Sequence, residues 1–128
     1  MKSMRLSEND IEKILDFIQE HLKYSDRELL KKYIKEHEKY GTFDYAVDSN
    51  GNIVAVVRYN MLQGYTLASI LDFAIRKDFR KRGVGKDFIL RALKRWPEIE
   101  KIAFVRGIRG DERTRVINIR GILKRNIF

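Results

Sequence analysis

Cysteine is absent from this 128-residue chain, and it carries one proline, one tryptophan and two histidines. Without cysteine there are no disulfides, no thiolate metal sites and no cysteine nucleophile, which fits an intracellular, cytoplasmic setting. The histidines, His21 and His37, both fall in stretches of helical periodicity. Surface helix positions are expected for them rather than metal binding, and no metal is expected. No apolar run approaches the roughly 20 residues of a membrane-crossing helix, so no membrane partner is expected. The N-terminus alternates charged and apolar residues, unlike a signal peptide. With 44% apolar residues, the chain has the composition of a globular protein, and its length suits one domain spanning 1–128.

Charge is plentiful but uneven. Residues 1–75 hold 10 Lys/Arg against 12 Asp/Glu, a net of −2, whereas residues 76–128 hold 17 against 6, a net of +11. An acidic partner is therefore expected on the C-terminal half.

The pattern of apolar residues lays out the elements. Met4-Arg5-Leu6 reads as a short strand. Ser7 then caps a helix whose Ile11, Ile14, Leu15, Ile18 and Leu22 share one face. Ser25-Asp26-Arg27-Glu28 reads as a capping box for a second helix, burying Leu29, Leu30, Tyr33 and Ile34 and stopping near Gly41. Phe43 to Val47 and Ile53 to Tyr59 read as strands joined through Asn50-Gly51. A turn near Gln63-Gly64 leads to a strand from about Thr66 to Arg76, completing an antiparallel meander. Gly85, Phe88, Ile89, Ala92, Leu93 and Trp96 line one face of a third helix, which Pro97 ends. Lys101 to Arg106 follows as a strand, expected to pair in parallel with the strand before the helix. Arg109-Gly110-Asp111 reads as a turn; the tail reads as a strand over Thr114 to Ile119 followed by a short helix, with a helix bearing Val116, Ile119, Leu123 and Ile127 on one face, interrupted by Gly121, as the alternative.

Between the third strand and third helix lies Arg80-Lys81-Arg82-Gly83-Val84-Gly85-Lys86. Gly83 permits a sharp turn, and Gly85 removes a Cβ where the helix start approaches strand or ligand. The backbone N–H groups of about Arg82 to Lys86 have no helical partner and can take up anionic oxygen, with Arg80, Lys81, Arg82 and Lys86 adding charge at the rim. This is not a Walker loop or a dinucleotide fingerprint, which require other glycine spacings.

The strand Leu71 to Ile75, the Arg80-x-x-Gly83-x-Gly85 turn and the helix after it resemble the acetyl-CoA-binding core of the GCN5-related N-acetyltransferases (GNAT), whose signature is R/Q-x-x-G-x-G/A. The resemblance covers about residues 4–106 and is specific over 71–93. It implies an α+β fold: a mixed, largely antiparallel central sheet flanked by helices, with a shortened C-terminal part. It implies acetyl-CoA as co-substrate and transfer of the acetyl group to an amine on a small molecule or a protein. Backbone amides around Phe73, Ala74 and Ile75 would pair with the pantetheine arm as an added strand, and Arg80, Lys81, Arg82, Gly83, Val84, Gly85 and Lys86 would hold the pyrophosphate. The chain departs from the family after Arg106, where only 22 residues follow. No tyrosine follows Tyr65, although the family often uses a later one to protonate the leaving thiolate.

Acetyl transfer to an amine needs a base to take the ammonium proton. Asp72, in the strand beside the expected thioester, is the candidate catalytic residue. The competing reading makes it an outward-facing carboxylate near Arg76, and N-terminal glutamates are other candidates. Tyr59 and Tyr65, at a hairpin end, either line the acceptor pocket or serve packing. Two other functions stand beside acetyl transfer. The surplus of arginines suits a nucleic-acid-binding or -modifying relative, and the missing tyrosine suits a catalytically silent CoA-binding module.

Overall fold

The computed structural model describes residues 6–106 and 113–119. Its elements are α1 (Glu8–His21), α2 (Arg27–Tyr40), β1 (Phe43–Val47), β2 (Ile53–Leu62), β3 (Leu67–Ile75), a 3-10 turn (Lys77–Phe79), α3 (Val84–Arg95), β4 (Lys101–Arg106) and β5 (Arg113–Asn118). The Met4-Arg5 part of the first expected strand, the Arg109-Gly110-Asp111 turn and the C-terminal helix lie outside the described residues.

Local chemistry explains where the helices begin and end. The Ser7 side chain accepts the Asp10 N–H at 3.1 Å and starts α1. α2 is capped one residue later than expected: Asp26, not Ser25, accepts the Leu29 N–H at 3.1 Å. Leu29, expected to be buried, lies on the outer face, 43% exposed, while Leu30 and Ile34 are buried. Gly41 closes α2 at φ 74, in the left-handed region that favours glycine.

The five strands form one sheet in the order β1-β2-β3-β4-β5. β1, β2 and β3 make the expected antiparallel meander, and β5 runs antiparallel to β4. α1 and α2 cover one face, packing Ile14, Leu15, Ile18 and Ile34 against Val56 and Ala74. α3 covers the other, where Phe88 and Ile89 meet Ala55, Val57, Ile102 and Ile119. Among the described residues no helix is long and apolar enough to cross a membrane.

Two irregularities matter for the site. β3 and β4 pair in parallel, as expected, but only Leu67, Ser69 and Ala68 find partners, opposite Lys101, Ala103 and Ile102. Beyond Ser69 the β3–β4 pairing stops, while the pairing with β2 runs on to Ile75. Just past that point the β2–β3 register steps from Tyr59↔Ile70 to Arg58↔Asp72, so Leu71 is an extra residue bulged out of β3.

Candidate active site

β3 passes through the 3-10 turn into α3, and this junction makes a seat for an anion. Gly83 is the N-cap of α3 at φ 83, ψ 11, and a Cβ there would meet nothing within 4 Å. The glycine is thus demanded by the backbone angle, while the space before it stays open. The first helical bond runs from the Asp87 N–H to the Gly83 carbonyl at 2.9 Å. The amides of Val84, Gly85 and Lys86 precede it and have no carbonyl upstream to bind. Arg80, Lys81, Arg82 and Lys86 are all exposed around this opening. A bound pyrophosphate would meet N–H donors, a positive helix end and basic side chains at one place.

The turn is braced from behind. Arg76 bonds Asp78 at 2.6 Å and reaches Asp48 at 3.4 Å. Its hydrogen bonds are the main reason the Asp78 carboxyl titrates below its ordinary range. The Phe79 ring lies between the Arg76 and Arg82 guanidinium groups, 5.0 and 4.9 Å from its centroid. Cations that would otherwise wander are held on a fixed ring.

Above the turn, β3 runs on past the end of its pairing with β4. The Arg76 N–H points to β2, bonding the Val54 carbonyl at 2.7 Å. N–H directions alternate along a strand. Those of Phe73 and Ile75 therefore point to the side of β3 opposite β2, and that of Ala74 points to β2. On the α3 side of this stretch lies an apolar cavity of about 30 Å³ touched by Ile70, Phe73, Gly85 and Phe88.

Asp72 lies beside the bulge, on the opposite face, and its surroundings differ from the competing expectation. It is buried rather than outward-facing, and its partner is Arg58, not Arg76. The Arg58 Nε donates to Asp72 Oδ2 at 2.6 Å, and the Tyr24 hydroxyl donates to Oδ1 at 2.6 Å. Arg58 Nη2 also donates to the Tyr24 oxygen at 3.1 Å, and its guanidinium sits 5.1 Å from the Tyr33 centroid. Burial, then the neighbouring Asp72, raises the Tyr24 pKa, which keeps the hydroxyl protonated and donating.

His37 completes this network and is not the surface residue its helical position suggested. Its Nδ1 lies 3.1 Å from the Tyr59 carbonyl, an acceptor only, so Nδ1 carries the proton. Nε2 is left as an acceptor for Arg58 Nη1 at 3.3 Å. Burial, then the Arg58 charge, lowers the His37 pKa, and the imidazole is neutral. Tyr59 is buried with its hydroxyl donating to the Gly41 carbonyl at 3.2 Å, whereas Tyr65 is 54% exposed. Among the described residues no group of three or more His, Cys, Asp or Glu is placed to hold a metal.

Arg58, Tyr24 and His37 were not among the candidates read from the sequence. Arg58 left a signal: it is the one charge in the apolar run Ile53 to Tyr59, and a buried cation requires a partner. Tyr24, in the loop between α1 and α2, left none.

Similar proteins carry the same architecture. A GNAT-family acetyltransferase from Staphylococcus aureus Mu50 superposes with a TM-score of 0.59 at 17% identity, over 79% of this chain and 70% of that one. Ard1 from Thermoplasma volcanium gives 0.59 at 23% identity, over 83% and 71%. GphF, a GNAT-like decarboxylase in complex with isobutyryl-CoA, gives 0.57 at 13% identity over 78% of this chain, which spans 63% of its length. No curated protein sequence matches the chain significantly. The model of the acetyltransferase (GNAT) family matches residues 9–115, most of the chain, with β3, the glycine turn and the network about Asp72 all inside the match, and the chain belongs to that family.

Proposed function

We propose that the chain is an acetyl-CoA-dependent N-acetyltransferase. One observation carries this: the Gly83-capped start of α3 follows on β3 past the point, at Ser69, where the β3–β4 pairing stops. The amides of Val84, Gly85 and Lys86, with Arg80, Lys81 and Arg82 around them, hold the pyrophosphate. The Phe73 and Ile75 N–H groups, flanking Ala74, pair with the pantetheine arm. On this reading the thioester lies at the bulge, where the amine attacks the carbonyl carbon, the carbon–sulfur bond breaks and the thiolate leaves to take up a proton. Positioning of the two reactants supplies most of the rate. Asp72, next to the bulge in β3, draws the ammonium proton, directly or through water, once Tyr24 yields its place.

Acetyl-CoA at about 100 times its dissociation constant should stabilise the chain by roughly 2.7 kcal/mol. Gly83→Glu, which puts a negative side chain where the pyrophosphate lies, should remove that shift while the protein stays folded. A melting temperature indifferent to saturating acetyl-CoA overturns the reading. That both Asp72 oxygens already accept a hydrogen bond, from Tyr24 and Arg58, favours a second reading, CoA binding without turnover. It is supported if acetyl-CoA stabilises the chain and a panel of amines yields no acetylated product.

A further inference from the structure

An opening of about 270 Å³ lies at the far end of α3 from Gly83. α2 lends it Glu36, His37 and Tyr40, β2 lends Asn60, and Tyr65 and Trp96 form a further wall. Acetyl-CoA binding as described uses none of these residues. His37 links the opening to Asp72 through Arg58.

Three observations define its chemistry. The backbone of Tyr65 is left-handed at φ 67, and that of Gln63 at φ 52, a conformation costing a non-glycine residue about 1 kcal/mol or more. The strain lays the Tyr65 ring flat on Trp96, centroids 5.3 Å apart and planes at 8°, with Tyr65 still 54% exposed. An aromatic wall is thus presented to solvent instead of being sunk in the core. Glu36 brings a carboxylate that makes no ion pair among the described residues, and His37 beside it is neutral. Finally, α2 ends at Tyr40 and α3 at Arg95, so two negative helix ends converge here. Lys39, over the outer Tyr40 ring at 5.8 Å, and Arg95, lying on Gly41, are drawn to this end but do not line the opening.

A carboxylate, flat aromatic faces and helix C-termini together select a cation. We infer that this opening holds a second cationic group of the acceptor, so that the preferred acceptor is a diamine and not a monoamine. The inference rests on the acetyl-transfer reading. Arg58, bonded to Asp72, and Asn60, at the opening, are on one face of β2 two residues apart, about 7 Å. One ammonium can therefore occupy the opening while an amine at the other end of a short chain reaches the bulge.

Trp96 is the only tryptophan, so its fluorescence reports on this wall alone. The full chain should be titrated with hexamethylenediamine, hexylamine and hexanol. Both amines should give a saturable change and hexanol none, and Glu36→Gln and Tyr65→Ala should each weaken amine binding about tenfold. As acceptors, hexamethylenediamine should show a lower KM than hexylamine, and Glu36→Gln should raise the KM for the diamine. Absence of a saturable response, or equal affinity in Glu36→Gln, overturns the cation site. The melting shift with acetyl-CoA is read separately. A shift without a Trp96 response discards this inference and leaves the acetyl-transfer reading standing. A Trp96 response without a shift discards the acceptor role.

Discussion

The two ends of α3 are chemical opposites. At its start, Gly83 leaves a bare backbone amid exposed Arg80, Lys81, Arg82 and Lys86. At its finish, Trp96 and Tyr65 stack near the carboxylate of Glu36. The helix has 12 residues, about 18 Å, with the positive end of its dipole at Gly83 and the negative end, partly offset by Lys94 and Arg95, near Trp96. On the proposed reading, one short element offers an anion and a cation separate places at its two ends. The buried charge, the Arg58–Asp72 pair, lies between them.

The strongest blow to this arrangement falls on that middle. Asp72→Ala strands the buried Arg58 guanidinium and should cost about 3–5 kcal/mol in denaturant unfolding. A loss below 1 kcal/mol would mean the pair is better solvated than it looks. Asp72→Asn keeps an acceptor for Tyr24 and should lower turnover more than acetyl-CoA affinity. An unaltered rate would take Asp72 out of the reaction.

Independence of the two ends comes next in size. Gly83→Glu should erase the acetyl-CoA shift of roughly 2.7 kcal/mol yet leave the Trp96 response to hexylamine in place, and Glu36→Gln should do the reverse. If either variant harms both ligands, the ends are coupled and the contrast between them fails. Smaller again is Phe79→Ala, which frees Arg76 and Arg82 from their shared ring. A loss of about 0.5–1 kcal/mol in acetyl-CoA binding is expected by calorimetry.

The gentlest test is pH. The folded state holds the His37 pKa below its ordinary value, so the unfolded chain binds the proton more readily. His37 therefore contributes stability above its unfolded pKa, about 6.5, and that contribution is lost as pH falls through this value toward the lower folded pKa. His37→Asn, which preserves a donor to the Tyr59 carbonyl, should melt with a flatter pH dependence between neutral and mildly acidic solution. Identical slopes would show that His37 titrates freely.

Much of the fold was legible because its signals are local. The 3.6-residue spacing of Ile11, Ile14, Leu15 and Ile18 needs no knowledge of what they pack against, and Asn50-Gly51 announces its hairpin unaided. Gly83 was legible for the same reason, being set between an apolar strand and an amphipathic helix. The register of α2's cap was not, because Ser25 and Asp26 are both good caps and tertiary packing chose between them. Asp72 was read as a strand carboxylate, but its partner is 14 residues away in sequence and directly opposite in the sheet. Pairing of that kind depends on register, and the bulge at Leu71 shifts the register. The opening beside Trp96 was the least legible, since its walls come from α2, β2, the hairpin tip and the end of α3. Of these walls only Tyr65 carries a sequence signal for a pocket, its place at a hairpin end, and nothing in its neighbours tells that it leans on Trp96.

The early parting of β4 from β3 has a bearing on how the chain keeps to itself. A strand with an unpaired row of amides invites other strands to add to it, and soluble proteins commonly blunt such edges with charge or bulges. Here the β3–β4 pairing ends at Ser69, and the residues of β3 that follow carry both devices: Leu71 is bulged out of register, and the strand runs into Arg76 and Lys77. A foreign strand seeking the even ladder of a flat sheet would meet a kink and then positive charge, so the irregularity that marks the site also guards the fold against adding a neighbour.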